Sequence, residues 1–104
     1  MALNLYEVDV SPEVQKELVK IFLYYYEVSL ERQVARKVVG RLWDAINNLN
    51  FMPKRHPMYL DQELRERGVR KLICGNYIIP FTVDDEAKIV YAEHVRHSKR
   101  DNPK

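Results

Sequence analysis

Hydrophobic residues between positions 14 and 49 recur at helical spacing and fall into two groups. The first group follows one face of a helix and contains Val14, Leu18, Ile21, Phe22 and Tyr25. Ser11 and Pro12 precede it, and these residue types are typical of an N-cap and of the first helical position. The second group begins near Ser29, ends before Pro53, and contains Val34, Val38, Leu42, Ala45, Ile46 and Leu49. The pattern predicts two helices joined by a short connection.

Alternation of apolar and polar residues predicts β-strands on both sides of these helices. A first strand is expected over Tyr6–Val10, before the helices. Residues 53–68 are polar and predict a loop, with one helical turn at 61–67. Three further strands are expected near 69–74, 76–83 and 88–96. The short turns at Gly75-Asn76 and Asp84–Ala87 favour antiparallel pairing of these three strands.

Each predicted helix carries a single apolar stripe, so the helical pair needs a second layer to cover it. The predicted fold class is therefore α+β with the order β-α-α-β-β-β. It is an antiparallel-rich twisted sheet with an N-terminal helical hairpin packed on one face. With 104 residues, of which 46% are hydrophobic, we expect one domain over residues 1–104. Pro80 cannot donate a hydrogen bond within its strand, which predicts a sheet edge or a bulge there.

The charge balance changes this picture only slightly. The net charge is +2, with −1 on residues 1–50 and +3 on residues 51–104. This excess is too small to predict strong sequence-independent binding to nucleic acid. Cys74 is the one cysteine, and no zinc-ligand spacing, membrane-length apolar run or signal-peptide pattern is present. We therefore expect a cytoplasmic protein with no metal, no cofactor and no membrane partner.

The last predicted strand runs into a cationic segment, Arg96-His97-Ser98-Lys99-Arg100-Asp101. Histidine suits proton transfer near neutral pH, and arginine binds two oxygens of a phosphate group. The alternative is that His97 only closes the strand through a backbone hydrogen bond. His94 is three residues from His97 and falls on the opposite face of a regular strand, so a shared metal site is not expected.

Several short motifs follow one another in a characteristic order. The second helix closes at Phe51-Met52-Pro53. An Arg-x-Leu strand then leads into Gly-x-Tyr, and the last strand ends in His-x-x-Arg-Asp. The matching residues are Arg70, Leu72, Gly75, Tyr77, His97, Arg100 and Asp101. Their order and the chain length resemble the RelE/ParE superfamily, the toxins of bacterial and archaeal type II toxin–antitoxin pairs. The resemblance implies a growth-arresting toxin that a cognate antitoxin protein neutralises.

Two branches of this superfamily imply different targets. The RelE-like branch cuts messenger RNA on the ribosome, and the ParE-like branch poisons DNA gyrase without a catalytic set. Ile78 stands where a RelE-like enzyme often has an arginine, which favours the ParE-like branch. Two alternatives stay open, a ribosome-dependent mRNA endoribonuclease and a non-toxic module that binds nucleic acid or protein.

The resemblance and the residue chemistry together nominate three sets of residues. In a RelE-like enzyme the catalytic residues would be His97, Arg70 and Arg100. The surface for the target or for nucleic acid would contain Arg96, Lys99, Lys71 and Tyr77, and the antitoxin surface would contain Tyr24, Tyr26 and Trp43. The alternatives are an ion pair of Arg70 with Glu93, a core position for Tyr77, and ordinary half-buried positions for the other aromatic residues.

Overall fold

A helical hairpin and a five-stranded sheet form the part of the chain that this computed structural model describes, residues 5–100, with only the backbone of Arg100. The helices are α1 (Pro12–Ser29), α2 (Arg32–Asn47) and the short α3 (Gln62–Glu66). The strands are β1 (Glu7–Val10), β2 (Arg70–Cys74), β3 (Tyr77–Asp84), β4 (Ile89–Ala92) and β5 (Arg96–His97). The predicted order β-α-α-β-β-β is confirmed, and α3 and β5 are added to it.

Serine residues at both ends define the first helix. The Ser11 Oγ atom accepts a hydrogen bond from the Val14 N–H at 3.1 Å, which caps the N-terminus as predicted. At the other end, the Ser29 hydroxyl donates to the carbonyl oxygen of Tyr25 at 2.6 Å. Ser29 is the last residue of α1, so the predicted start of the second helix near Ser29 was three residues too early. That helix begins at Arg32, after Leu30 adopts a left-handed conformation with φ of 57°.

The sheet has the strand order β1-β4-β3-β2. β1 is parallel to β4, and the other pairings are antiparallel. Gly75, with φ of 59°, takes the first central position of the two-residue turn between β2 and β3, as a type II′ turn requires. β3 lies inside the sheet, since it pairs with β2 on one side and with β4 and β5 on the other.

One face of the sheet packs against the helical hairpin and forms the core. Alternate residues of β2, β3 and β4 point to this face and are buried, including Leu72, Ile79, Phe81, Val90 and Ala92. The helices contribute Val14, Leu18, Leu42 and Ile46 to the same cluster. The predicted layer arrangement, with the hairpin on one face, is confirmed.

The segment between the hairpin and β2 shields the outer edge of β2. The N–H of Lys71 donates to the Pro57 carbonyl at 2.9 Å, and the N–H of Tyr59 donates to the Val69 carbonyl at 3.3 Å. The predicted helical turn is present as α3, which Asp61 caps by accepting from the Leu64 N–H at 3.0 Å. None of the helices within residues 5–100 is long and apolar enough to cross a bilayer.

The last predicted strand, 88–96, is interrupted rather than continuous. Phe81 of β3 lies opposite Ala92, but Ile78 lies opposite Arg96, so two residues of β3 face the three residues Glu93–Val95. One of those two is Pro80, whose carbonyl accepts from the Glu93 N–H at 2.9 Å. The N–H that proline lacks would point the same way, toward the interruption. Pro80 therefore marks a bulge, as one of the two predicted alternatives, and not an edge.

This bulge decides which side chains of β5 face the helices. A shift of one residue in strand register moves every later side chain to the other face. With the bulge, His97 lies opposite Tyr77 on the helix side, and Arg96 lies opposite Ile78 on the open face. Helix α1 stabilises the bulge, because the Ser11 hydroxyl donates to the Glu93 carbonyl at 2.8 Å and Glu17 Oε2 accepts from the Val95 N–H at 3.3 Å.

Two isoleucines on adjacent strands test the assignment of the two faces. Ile79 is fully buried on the helix side, whereas Ile73 is 60% exposed on the other face. We expect Ile79→Ala to lower the free energy of unfolding by about 3 kcal/mol, because it leaves a cavity in the core. Ile73→Ala should cost less than about 1 kcal/mol. Urea denaturation measures both values, and equal losses would contradict the assignment.

Candidate functional site

A cleft of about 560 Å³ lies between α1 and the ends of β3 and β5. Its aromatic side chains are Tyr24, Tyr25, Tyr77 and His97, and its cationic side chains are Lys20 and Lys99. We call it the tyrosine cleft. It combines residues from the first helix, the central strand and the C-terminal segment, so it exists only in the folded chain.

His97 is held in the tyrosine cleft by two contacts. Its ring meets the Tyr77 ring edge-on at 5.5 Å between centroids, and its Nδ1 atom accepts a hydrogen bond from the Lys99 N–H at 3.2 Å. Because Nδ1 is an acceptor here, the neutral ring carries its proton on Nε2. One edge of the ring thus makes a backbone hydrogen bond, as the predicted alternative for His97 expected. His97 nevertheless lines the cleft.

Tyr77 lines the same cleft and is half-buried. Burial is the main cause that raises the pKa of its hydroxyl far above the ordinary value, and the side-chain hydrogen bond with Tyr25 adds to it. The phenol is therefore neutral at physiological pH and carries no negative charge into the cleft.

Arg70 lies away from His97, near the opposite end of the sheet. It pairs with Phe81, whereas His97 pairs with Tyr77, which is about 13 Å away along β3 at ordinary strand rise. The two residues also lie on opposite sides of β3, about 10 Å apart across the sheet. The structure therefore does not bring Arg70 and His97 together.

The Arg70 guanidinium is occupied by backbone acceptors. Its Nη1 atom donates to the carbonyl of His56 at 2.8 Å and to that of Lys54 at 3.2 Å. Glu93, the alternative partner suggested by the sequence, instead pairs with Arg67 at 3.7 Å. Arg70 thus connects the start of β2 to residues 54–56, a role that local sequence patterns do not reveal.

The predicted target-binding residues are divided between two faces of the sheet. Tyr77 and Lys99 line the tyrosine cleft. Arg96 is exposed on the opposite face, where Lys71 also lies with its ammonium 5.3 Å from the centre of the Tyr59 ring. The side chain of Arg100 and the whole of Asp101 fall outside the described residues.

The predicted antitoxin-binding residues are divided as well. Trp43 lines a second depression of about 330 Å³ between α1 and α2, which we call the helix groove. Tyr26 is close to it, because its ring stacks on Phe22 of the groove at 6.5 Å. Tyr24 instead faces the tyrosine cleft, where its ring meets that of Tyr25 at 5.2 Å.

Sequence reasoning missed two exposed apolar residues beside the helix groove, Val19 and Leu23. With Tyr26 they are spaced by four and three residues, which forms a second apolar stripe on α1 next to the core stripe. That spacing was visible in the sequence. Within the described part of the chain, no group of three or more metal-binding side chains comes together.

Comparison with known proteins assigns the chain to a family. Residues 8–102 match the family model of the ParE toxin of the type II toxin–antitoxin system, parDE. The chain belongs to this toxin family. The resemblance to the RelE/ParE superfamily is thereby confirmed, and with it the assignment as a toxin of a type II toxin–antitoxin system. No curated protein sequence gives a significant match.

Two solved structures share the fold of this ParE-family toxin. One belongs to the chromosomal ParDE toxin–antitoxin system from P. aeruginosa, with 17% sequence identity and a TM-score of 0.73, covering 90% of this chain and 97% of that chain. The other belongs to the RelBE2 toxin–antitoxin complex from Mycobacterium tuberculosis. It has 24% identity and a TM-score of 0.61, and covers 89% of this chain and 91% of that chain.

The surroundings of Arg70 predict a pH effect on stability. Burial lowers the pKa of His56, and the charges of Arg55 and Arg70 lower it further. The unfolded chain therefore binds more protons just below the ordinary histidine pKa of about 6.5. This contribution to stability is complete above that pH and is lost as the pH falls toward the folded-state pKa. We expect His56→Gln to make the free energy of unfolding fall less between about pH 7 and about pH 5.

Urea denaturation at a series of pH values measures this difference. His94 and His97 are present in both proteins, so their contributions cancel in the comparison. Parallel stability curves for the two proteins would contradict the low pKa of His56.

Proposed function

We propose that this ParE-family toxin arrests growth by binding DNA gyrase, as a poison rather than as an enzyme, and that a cognate antitoxin neutralises it. The observation that carries the proposal is the separation of Arg70 from His97 in a chain that matches the ParE family. The family match supports the ParE-like branch. The separation leaves Arg70 outside the catalytic set that an endoribonuclease would need around His97.

The chemistry of RNA cleavage explains why this separation matters. Attack by a 2′-hydroxyl needs a proton acceptor, a proton donor and cations around one phosphorus atom, with each group within hydrogen-bond reach. Arg70 donates to backbone carbonyls far from His97, and Arg96 faces away from it. An endoribonuclease built from these residues would need a large rearrangement of the sheet.

A binding poison needs exposed surface rather than convergent catalytic groups. The open face of the sheet offers Lys71 and Arg96 on either side of β3, with the exposed Ile73 in the same cross-strand row as Arg96. Cations beside exposed apolar area suit a protein partner with an acidic rim. We assign the gyrase contact to this face.

The helix groove is the surface that we assign to the antitoxin. Val19, Phe22, Val39 and Trp43 line it, and the exposed Leu23, one turn after Val19 on α1, extends its apolar area. A groove of this kind fits the apolar face of an amphipathic partner helix. Both similar structures belong to toxin–antitoxin systems, which supports the presence of such a partner for this chain.

Expression without an antitoxin tests the proposed function. We expect growth arrest in the host cell, loss of supercoiling when the purified chain is added to gyrase, and no site-specific cleavage of messenger RNA. His97→Gln should lower growth arrest and gyrase inhibition by less than about tenfold. In an enzyme, loss of a general acid or base would lower activity by about a hundredfold or more. Normal growth at good expression would overturn the toxin assignment, and cleaved messenger RNA with intact supercoiling would overturn the gyrase assignment.

A charge placed beside the helix groove tests the antitoxin surface. We expect Leu23→Asp to keep growth arrest but to prevent rescue by the co-expressed antitoxin, because a carboxylate would be buried against apolar side chains. Val28→Asp is the matched control, since Val28 is 67% exposed on the opposite side of α1 and Leu23 is 51% exposed. Equal rescue of the two variants would contradict this surface.

A further inference from the structure

Two lysine side chains that line the tyrosine cleft have no ion-pair partner within residues 5–100. Lys20 enters from α1 and Lys99 from the turn after β5, and both are exposed. The one carboxylate in the lining belongs to Glu17, and both of its oxygens are engaged. Oε2 accepts from the Val95 N–H at 3.3 Å, and Oε1 lies 3.4 Å from His94 Nδ1. Among residues 5–100, the two ammonium groups therefore face an opening whose lining contains no free carboxylate.

Neutral hydrogen-bond donors lie beside these cations. The Nε2 edge of the neutral His97 ring is a donor, because Nδ1 already accepts the Lys99 N–H. The Tyr77 hydroxyl is protonated for the reasons given above, so it does not repel an anion. Cations with neutral donors are the groups that hold a phosphate.

The aromatic side chains give the cleft its second chemical feature. Tyr24 is 59% exposed, and its ring lies nearly perpendicular to that of Tyr25 at 5.2 Å, an arrangement in which Tyr25 covers at most one of its two faces. A nucleobase stacks on an exposed aromatic ring of this kind regardless of its sequence. Cationic residues beside such a ring are the usual combination in proteins that bind single strands.

We propose that the tyrosine cleft binds a nucleoside phosphate, with the phosphate between Lys20 and Lys99 and the base against Tyr24. The ligand is a free mononucleotide or the terminal nucleotide of a single strand, which share this chemistry. The volume of about 560 Å³ lies in the range of small-molecule sites and exceeds what an inorganic anion fills. This site lies on the helix side of the sheet, so the inference goes beyond the proposed gyrase contact.

A nucleotide fits these residues better than an acidic peptide does. A peptide carboxylate would satisfy the two lysines but would leave the free face of Tyr24 without a planar partner. A nucleoside phosphate supplies a multiply charged group and a planar ring on one short molecule. Both features of the cleft are then used at once.

Isothermal titration calorimetry on the full chain tests the proposal, with adenosine 5′-monophosphate as the probe. We expect binding that weakens about tenfold in Lys20→Gln and in Lys99→Gln, through loss of one charge-assisted hydrogen bond. Tyr24→Ala should weaken it several-fold through loss of stacking. Lys16→Gln is the matched control, because Lys16 is an exposed lysine of α1 that does not line the cleft.

Further probes distinguish a free nucleotide from a strand end, and a nucleotide from inorganic phosphate or an acidic peptide. Tighter binding of a 5′-phosphorylated single-stranded trinucleotide would identify a strand end, and equal binding would identify a free nucleotide. Either result supports the site. The proposal is overturned if the monophosphate does not bind at millimolar concentration, or if inorganic phosphate binds as well as the nucleotide. It is also overturned if Lys16→Gln weakens binding as much as Lys20→Gln, or if an acidic aromatic peptide binds and the nucleotide does not. Growth arrest and gyrase inhibition are measured separately, so neither outcome depends on this one.

Discussion

The absent N–H of Pro80 is the constraint on which the arrangement of the C-terminal half depends. β3 is an inner strand, so each of its backbone groups needs a partner on one side or the other. Pro80 has a carbonyl that Glu93 satisfies but no hydrogen to offer in return. The segment Glu93–Val95, opposite Pro80, contains one extra residue that forms a bulge. Hydrogen bonds with Ser11 and Glu17 attach this segment to α1. A single residue type in the centre of the sheet thus fixes the register of everything after it.

The chemistry of the surface follows from this register. Because the extra residue exchanges the two faces, His97 meets Tyr77 on the helix side and Arg96 faces the open side. Arg96 and His97, which are adjacent in sequence, thereby lie on opposite faces of the sheet. Arg70, a member of the catalytic set predicted for a RelE-like enzyme, instead attaches residues 54–56 to β2. The protein offers three distinct surfaces, the tyrosine cleft, the helix groove and the open face, rather than one convergent site.

Local patterns in the sequence were sufficient for the elements and their order. The stripe from Val14 to Tyr25 and the Gly75-Asn76 turn act over a few residues, so periodicity and turn chemistry reveal them. The site could not be predicted in this way, because it depends on contacts between residues far apart in sequence, such as Ser11 with Glu93 and Arg70 with the His56 carbonyl. Pro80 signalled a bulge, but only the partner strand shows where the extra residue lies. Without it, an alternating pattern places Arg96 on the helix side and His97 outside.

A proton nuclear Overhauser spectrum of the folded chain tests the residue inserted opposite Pro80 most directly. Tyr77 and His97 face each other as a non-hydrogen-bonded antiparallel pair, in which the two Cα atoms are about 4.5 Å apart. We expect a strong cross-peak between their α protons, together with cross-peaks between the two rings. A strong cross-peak between the α protons of Tyr77 and Arg96 instead would mean that no residue is inserted opposite Pro80. That result would contradict the placement of His97 in the cleft.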